Sequence, residues 1–228
     1  MAPMRERVAA MDDVEREGFA SEEVGENSLH DSVSEATFVR AEVVSPSLKR
    51  ASDVAAERPH DGFAAIAPMP EVEAIRTHRL FAEWCERLEA AEADREFCRH
   101  QMTHLLDVAR IAYIRVLERG LPFRKEVVYA AALLHDIGKA AQYEDGEPHE
   151  VAGARIAQEI LLDVEGFDPR EKTMIVAAVA QHRRWSDAST PLGKLLYEAD
   201  KASRPCFACS AREACAWSDE RKNMGIGI

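Results

Sequence analysis

A histidine and an aspartate stand side by side at the end of an apolar run. Residues 130–139 read AAALLHDIGK, and His135 and Asp136 interrupt the run where a buried helix should continue. Burying both groups without partners would cost several kcal/mol, so the fold must supply partners. A hydrogen bond between the two, or to the backbone, is one explanation. A bound cation is the other, and it needs ligands from elsewhere in the chain.

Other ionisable residues project from apolar helix stripes in the same way, namely His104, His149, His182 and Asp200. Taken singly, each is also explained as a hydrogen-bonded core residue or a helix-end carboxylate. Together with His135 and Asp136 they form a set of four imidazoles and two carboxylates on inward faces. Such mixed ligands suit Fe, Mn, Co or Zn better than Ca or Mg.

His100 lies four residues before His104 and therefore on the same helical face. Spacing alone leaves open which of the two histidines is a ligand. The other interpretations of His100 are a role in support of the ligands or a contact with substrate.

The elements that must position these residues are all predicted to be helical. Apolar periodicity predicts helices over about 71–94, 96–119 and 149–163, and further helices opening near Arg124, Asp168 and Thr190. The helix from Arg124 is expected to run through the AAALLHDIGK stretch. Residues 142–148 are mostly polar and predict a loop that delivers His149 to its helix. Since no segment shows convincing strand alternation, the predicted fold class is all-α.

Composition divides the chain into three parts. Residues 1–70 are acidic, poor in aromatic residues and interrupted by proline and glycine, which predicts a largely disordered leader. A helical domain is expected over 71–205, followed by a cysteine-containing extension over 206–228. With 228 residues and 46% apolar residues, the chain is long enough to bury one substantial core.

Charge and targeting signals limit the partners. The net charge of −12 argues against a nucleic-acid-binding surface, so an anionic substrate would need locally placed Lys, Arg or metal. No apolar run is long enough to span a membrane and no secretion signal opens the chain, which predicts a cytoplasmic protein without a membrane partner. The sequence does not indicate an oligomeric state.

The five cysteines favour reduced thiols or metal thiolates over a disulfide framework. Cys206 and Cys209 have the spacing of a metal knuckle, and Cys215 lies close by. One interpretation of these three is a second, structural metal site that holds Zn, provided that a fourth ligand comes from elsewhere. Three free thiols in a packed extension are the alternative.

The segments THLLDVARIA, LLHDIGK, PHEVAGA, VAQHRRW and LLYEADKASR occur in this order and resemble the motifs of the HD-domain superfamily of metal-dependent phosphohydrolases. Within it they most resemble the bacterial symmetrical dinucleoside tetraphosphate hydrolases. The resemblance covers about residues 96–205 and implies an HD-domain helical bundle. It also implies a two-metal centre whose ligands are His104, His135, Asp136, His149, His182 and Asp200.

The chemistry of such a centre leads to a predicted function. Two metals about 3.5 to 4 Å apart hold a bridging hydroxide that attacks a phosphoryl group, and Asp136 is the natural bridging carboxylate. Lys139, one turn from His135, and Arg204 are predicted to bind phosphate or stabilise the leaving group; ordinary surface cations are the alternative. The absence of a serine or cysteine nucleophile motif fits this mechanism.

We therefore expect a metal-dependent phosphohydrolase whose small phosphorylated substrate is a nucleotide or a dinucleoside polyphosphate. The first alternative is a phosphodiesterase for cyclic or linear nucleotides. The second is a non-catalytic regulator that senses a nucleotide, a metal or redox state.

Overall fold

The computed structural model describes residues 68–227, and almost all of the predicted leader lies outside them. Within this part of the chain no strand occurs, which confirms the all-α prediction. The described helices are α1 Pro70–Thr77, α2 Arg79–Ala91, α3 Met102–Arg119, α4 Lys125–Leu134, α5 Lys139–Asp145, α6 His149–Asp163, α7 Pro169–Gln181 and α8 Pro191–Ala202, with a 3₁₀ turn at Cys206–Ala208.

Helix α4 lies at the centre of the bundle. Seven of its ten residues are buried, and it packs against α1, α3 and α7. Neighbours on several sides explain why its sequence is apolar all round. Among residues 68–227, neither α4 nor any other helix has the length and hydropathy needed to cross a membrane. Because His135 and Asp136 directly follow α4, their side chains are buried in the core of the bundle.

The helices around α4 begin where their capping residues predict. Asp168 caps α7, since its Oδ1 accepts hydrogen bonds from the backbone N–H groups of Arg170 and Glu171 at 2.7 and 2.9 Å. Glu171 completes the capping box by accepting from the Asp168 backbone at 3.0 Å. Thr190 caps α8 through a 3.2 Å hydrogen bond from the Gly193 N–H group. These starts fix the register in which α7 and α8 present His182 and Asp200.

Several predicted boundaries were wrong. The helix expected over 71–94 is two helices, because His78 adopts an extended backbone and its Nδ1 caps α2 by accepting from the Leu80 N–H group at 3.2 Å. The helix expected from residue 96 begins at Met102. Helix α4 ends at Leu134 rather than running on through residue 139, and residues 135–138 form a turn. The loop predicted from residue 142 begins only at Gly146.

Candidate metal centre

The structure brings the six predicted side chains together in two adjoining groups. In each group every residue contributes one nitrogen or oxygen atom that could bind a metal, and these atoms all lie within 4.8 Å of one another. The first group is His104, His135, Asp136 and Asp200, and the second is Asp136, His149 and His182. They come from α3, the turn after α4, the start of α6, the end of α7 and α8. Their role as metal ligands stays a prediction.

Asp136 belongs to both groups and uses a different oxygen in each. Its Oδ2 lies 3.5 Å from His104 Nε2 and 3.1 Å from His135 Nε2. Its Oδ1 lies 3.7 Å from His149 Nε2 and 3.4 Å from His182 Nε2. Asp136 would therefore serve as a ligand to both ions of a two-metal centre.

Asp200 completes the first group from the opposite side. Its Oδ1 lies 3.2 Å from His104 Nε2 and 3.9 Å from His135 Nε2. Its two oxygens also contact cationic side chains, since Lys201 Nζ lies 2.7 Å from Oδ2 and Arg204 donates to Oδ1 at 3.1 Å. Asp200 thus connects the first group to Lys201 at the end of α8 and to Arg204 just after it.

Backbone carbonyl groups fix the orientation of two imidazoles. His135 Nδ1 donates to the carbonyl oxygen of Ala132 at 2.7 Å, and His182 Nδ1 donates to that of Val179 at 2.7 Å. In a neutral imidazole the other ring nitrogen then carries a lone pair. In this neutral form both Nε2 atoms present lone pairs to the centre, as a metal ligand requires.

Side chains fix the orientation of the other two imidazoles, those of His149 and His104. His149 Nδ1 lies 2.5 Å from Gln142 Oε1, and His104 Nδ1 lies 3.2 Å from Ser203 Oγ. The Ser203 hydroxyl donates its own hydrogen to the Asp200 carbonyl oxygen at 2.7 Å, so it accepts from His104. Gln142 and Ser203 thus direct the Nε2 atoms of these imidazoles inward, and sequence reasoning missed both.

The burial and hydrogen bonding of these groups fit cation binding. His135 is 0% exposed, yet neither its Nε2 nor His104 Nε2 makes a hydrogen bond within the described part of the chain. Leaving such atoms unpaired is costly, and a metal ion satisfies a lone-pair donor of this kind. A site of imidazole nitrogens and carboxylate oxygens matches a transition metal ion.

Electrostatics favour the ligating protonation states of Asp136 and His149 but not that of His135. Burial opposes protonation of His135, but the nearby carboxylate of Asp136 outweighs it and raises the pKa of this imidazole above its usual value. Burial opposes ionisation of Asp136, but the nearby imidazoles of His135 and His100 outweigh it and hold the pKa of the carboxyl well below its usual range. Burial, followed by the charge of Lys139, holds the pKa of His149 well below that of a free histidine. At neutral pH the carboxylate is therefore ionised and the His149 imidazole is neutral.

A cavity of about 260 Å³ opens onto the centre. Its walls include Asp136, His149, His182 and Asp200, together with five cationic residues, which are Arg95, Lys139, Arg183, Lys201 and Arg204. Lys139 is only 8% exposed, and Arg204 is also buried. Both predicted phosphate-binding residues thus lie at the cavity rather than on the open surface. His100 lines the cavity as well but belongs to neither metal group.

Glu92 is a further buried residue near the site that sequence reasoning missed. The predicted helix over 71–94 treated it as one of many solvated charges, whereas it is 0% exposed and contacts His100. The one available signal was its setting, since Ala90, Ala91 and Ala93 surround it with small apolar side chains.

The predicted cysteine site does not form a comparable cluster. All five cysteines are free, and in residues 68–227 no group that includes a cysteine brings ligand atoms as close together as the two His and Asp groups do. Cys206 is buried, and burial raises the pKa of its thiol. Cys98 and Cys215 line the cavity instead. A zinc ion held by Cys206, Cys209 and Cys215 stays a prediction.

Comparison with known proteins identifies the class. Residues 102–204 match the model of the HD domain, so this part of the chain is an HD domain. An uncharacterized protein of Clostridium beijerinckii is 43% identical over 143 residues, which cover 63% of this chain and 89% of that protein. The chain therefore belongs to the same family as this clostridial protein. The predicted HD domain is confirmed, and the closer placement among dinucleoside tetraphosphate hydrolases stays a prediction.

More distant similarities are shorter or weaker. Ribonuclease Y of Petrotoga mobilis is 34% identical over 106 residues, which are 46% of this chain but only 18% of that protein. Ribonuclease Y of Nitratidesulfovibrio vulgaris is 34% identical over 107 residues, again 18% of its length. The crystal structure of a predicted HD superfamily hydrolase from an uncultured Thermotogales bacterium gives a TM-score of 0.46 at 24% identity, and covers 63% of this chain and 81% of that one.

Proposed function

We propose that this protein is a metal-dependent phosphohydrolase that cleaves a nucleotide or a dinucleoside polyphosphate. One observation carries the proposal: two groups of potential ligands share Asp136 at the floor of a cavity whose walls are rich in Lys and Arg. Cations on the walls favour a substrate with several negative charges, and a shared carboxylate favours two metal ions.

The proposed ligands are His104, His135, Asp136 and Asp200 for one ion, and Asp136, His149 and His182 for the other. Iron, manganese and cobalt are the candidate ions because they accept both nitrogen and oxygen donors. When bound, two such ions polarise the phosphoryl oxygens and lower the pKa of a water molecule that serves as the nucleophile. The protein holds the ligands in fixed orientations through hydrogen bonds to the outer nitrogen of each imidazole.

Lys139 and Arg204 take the substrate-binding roles in this proposal. Lys139 directly follows the turn that carries Asp136, and its charge faces the cavity from which the phosphoryl group must approach. The Arg204 guanidinium is held in place by its hydrogen bond to Asp200. Because both cations are buried, little water screens them, and a phosphate oxygen gains more from contact with them than from a surface lysine.

A phosphodiesterase is the second candidate. The similarity to the two ribonuclease Y proteins favours it, although it concerns less than a fifth of the length of those proteins. The two candidates differ in product: hydrolysis of a polyphosphate releases a nucleotide with fewer phosphates, whereas hydrolysis of a diester leaves the phosphate count unchanged.

The test combines metal analysis with hydrolysis assays on a panel of mononucleotides, dinucleoside polyphosphates and cyclic nucleotides. We expect about two transition metal ions per chain and turnover of at least one polyphosphate. A protein that binds ions but turns over no phosphate ester would point to the regulator instead.

Asp136→Ala is the matching variant. We expect it to abolish turnover, because it removes the ligand shared by both groups, while leaving the helical content nearly intact. Asp107→Ala is the matched control, since Asp107 pairs with Arg110 on α3 at 3.3 Å and belongs to neither group of potential ligands. Full activity in Asp136→Ala would contradict the proposal.

A further inference from the structure

Glu92 and His100 form a buried carboxylate–imidazole pair beside the metal centre. Glu92 Oε2 accepts a hydrogen bond from the His100 backbone N–H group at 2.7 Å, and its Oε1 lies 2.5 Å from His100 Nδ1. The Tyr143 hydroxyl donates to Oε1 at 2.9 Å. A carboxylate with no exposed surface and three hydrogen-bonding contacts holds the imidazole in one orientation.

The free nitrogen of that imidazole faces the cavity. Since Glu92 accepts the Nδ1 hydrogen, His100 Nε2 carries a lone pair. In this tautomer a neutral His100 accepts a hydrogen bond at Nε2 and donates none there.

The position of His100 Nε2 indicates which group donates a hydrogen bond to it. It lies 4.0 Å from Asp136 Oδ2, which is too far for a direct hydrogen bond. One oxygen atom can lie about 2.8 Å from both atoms, the usual length of such a contact. A phosphoryl oxygen carries no hydrogen to donate to a neutral imidazole, whereas a water molecule does.

We propose that His100 Nε2 accepts a hydrogen bond from the attacking water, and that Glu92 is the positioning residue that holds His100 in this tautomer. This inference rests on the proposed phosphohydrolase function. In the transfer, the water oxygen bonds to phosphorus and the phosphorus–oxygen bond to the leaving group breaks. The leaving oxygen keeps the electron pair, and one water proton passes to it through solvent.

The first experiment compares kcat and KM of the metal-loaded protein with those of two Glu→Gln variants. The amide of Glu92→Gln can donate to Nδ1 and so favours the opposite tautomer of His100. We expect kcat to fall by about 10- to 100-fold with little change in KM, the size typical of residues that orient a ligand or base. Glu144→Gln is the matched control: Glu144 also links α2 to α5, through Arg87, but does not line the cavity.

A double-mutant cycle separates positioning from general stabilisation. His100→Asn keeps a donor toward Glu92 but removes the Nε2 acceptor. If Glu92 acts through His100, adding Glu92→Gln to His100→Asn lowers kcat no further. Additive losses, or equal kcat values for Glu92→Gln and Glu144→Gln, would overturn the proposal.

Binding of inorganic phosphate tests the contact without turnover. The attacking oxygen becomes part of the product, so a hydroxyl of bound phosphate donates to the same Nε2. We expect His100→Asn and Glu92→Gln to weaken phosphate binding about tenfold in titration calorimetry of the metal-loaded protein, the value of roughly one hydrogen bond, and Glu144→Gln to leave it unchanged.

The hydrolysis assay and the phosphate titration test the two proposals separately. If no ester on the panel is hydrolysed, the proposed function is wrong, while the phosphate titration still tests the contact with His100. Equal phosphate affinity in wild-type protein and His100→Asn, or no phosphate binding by wild-type protein, would overturn the inference even if hydrolysis is observed. Should Glu92→Gln fail to fold, His100→Asn alone decides.

Discussion

His100 is a buried histidine that stays neutral in the folded protein. It is 4% exposed, and burial accounts for most of the lowering of its pKa to about 4. In the unfolded chain its pKa returns to about 6.5. Between these values the unfolded chain binds a proton that the folded chain does not, so acid favours unfolding.

This difference predicts how stability depends on pH. As the pH falls from 6.5 to 4, His100 should lower the free energy of unfolding of the chelated, metal-free protein by up to about 1.4 kcal/mol per pH unit. Above pH 6.5 it should have no effect. Urea unfolding of wild-type protein and His100→Asn at pH 7, 6 and 5 measures the two slopes. We expect the shallower slope in the variant, and parallel slopes would show that His100 is not neutral when folded.

Single residues also show where sequence reasoning reaches its limit. Helical spacing placed His100 and His104 on one face, and only the fold shows that His104 meets Asp200 while His100 turns to Glu92. Neither Glu92 nor Ser203 was predicted, because an isolated carboxylate or hydroxyl has no periodic pattern, and the alanines around Glu92 were the one signal in the sequence. Their roles depend on contacts with residues distant in the chain or on an irregular segment.

At the scale of elements, the turn between α4 and α5 sets the distance between two parts of the site. Gly138 ends this turn and lies directly against the start of α6. A Cβ atom at Gly138 would lie 2.2 Å from the His149 carbonyl oxygen and 2.4 Å from the Gly153 backbone nitrogen. Because both contacts are with backbone, no side-chain movement could relieve them. The close approach brings His149 within reach of Asp136.

Gly138→Ala should therefore disturb the second metal group. We expect a loss of about 1–3 kcal/mol or more in the free energy of unfolding from the steric clash, and fewer bound metal ions per chain. Thermal or urea unfolding and metal analysis measure the two effects.

Gly120→Ala is the control for this prediction. A Cβ atom there meets no atom within 4 Å, although the φ of +61° at this helix end still disfavours alanine. It should cost about 1 kcal/mol and leave the metal content unchanged. Equal metal loss in both variants would argue against a specific role of the turn.

Element types were easier to predict than their ends. The apolar sequence of α4 and the capping residues Asp168 and Thr190 act locally, so they are visible in the sequence. The break at His78 and the irregular segment over 92–101 depend on long-range contacts. His78 Nε2 lies 3.2 Å from Asp163 Oδ2, and Glu92 turns inward to reach His100 and Tyr143. The spacing of apolar residues in the sequence does not reveal such contacts.

At the scale of the whole molecule, the net charge of the chain is negative, whereas the cavity is lined by several cationic side chains. The chain carries a net charge of −12, whereas five Lys and Arg residues line the cavity above the metal groups. A small anion that enters the cavity gains from these cations. A long polyanion is also repelled by the net negative charge of the chain as a whole.

This contrast separates the two candidate functions by their salt dependence. We expect kcat/KM for a small nucleotide to exceed that for a single-stranded RNA oligonucleotide at low salt, and to fall as salt screens the cavity cations. Any activity on RNA should instead rise with moderate salt, because screening weakens the repulsion by the rest of the protein. Steady-state assays between about 0.02 and 0.3 M salt, a range over which the Debye length changes several-fold, measure how kcat/KM for each substrate depends on salt. Higher kcat/KM on RNA at low salt, falling with added salt as for a basic nucleic-acid-binding surface, would contradict the small-nucleotide proposal and favour the phosphodiesterase.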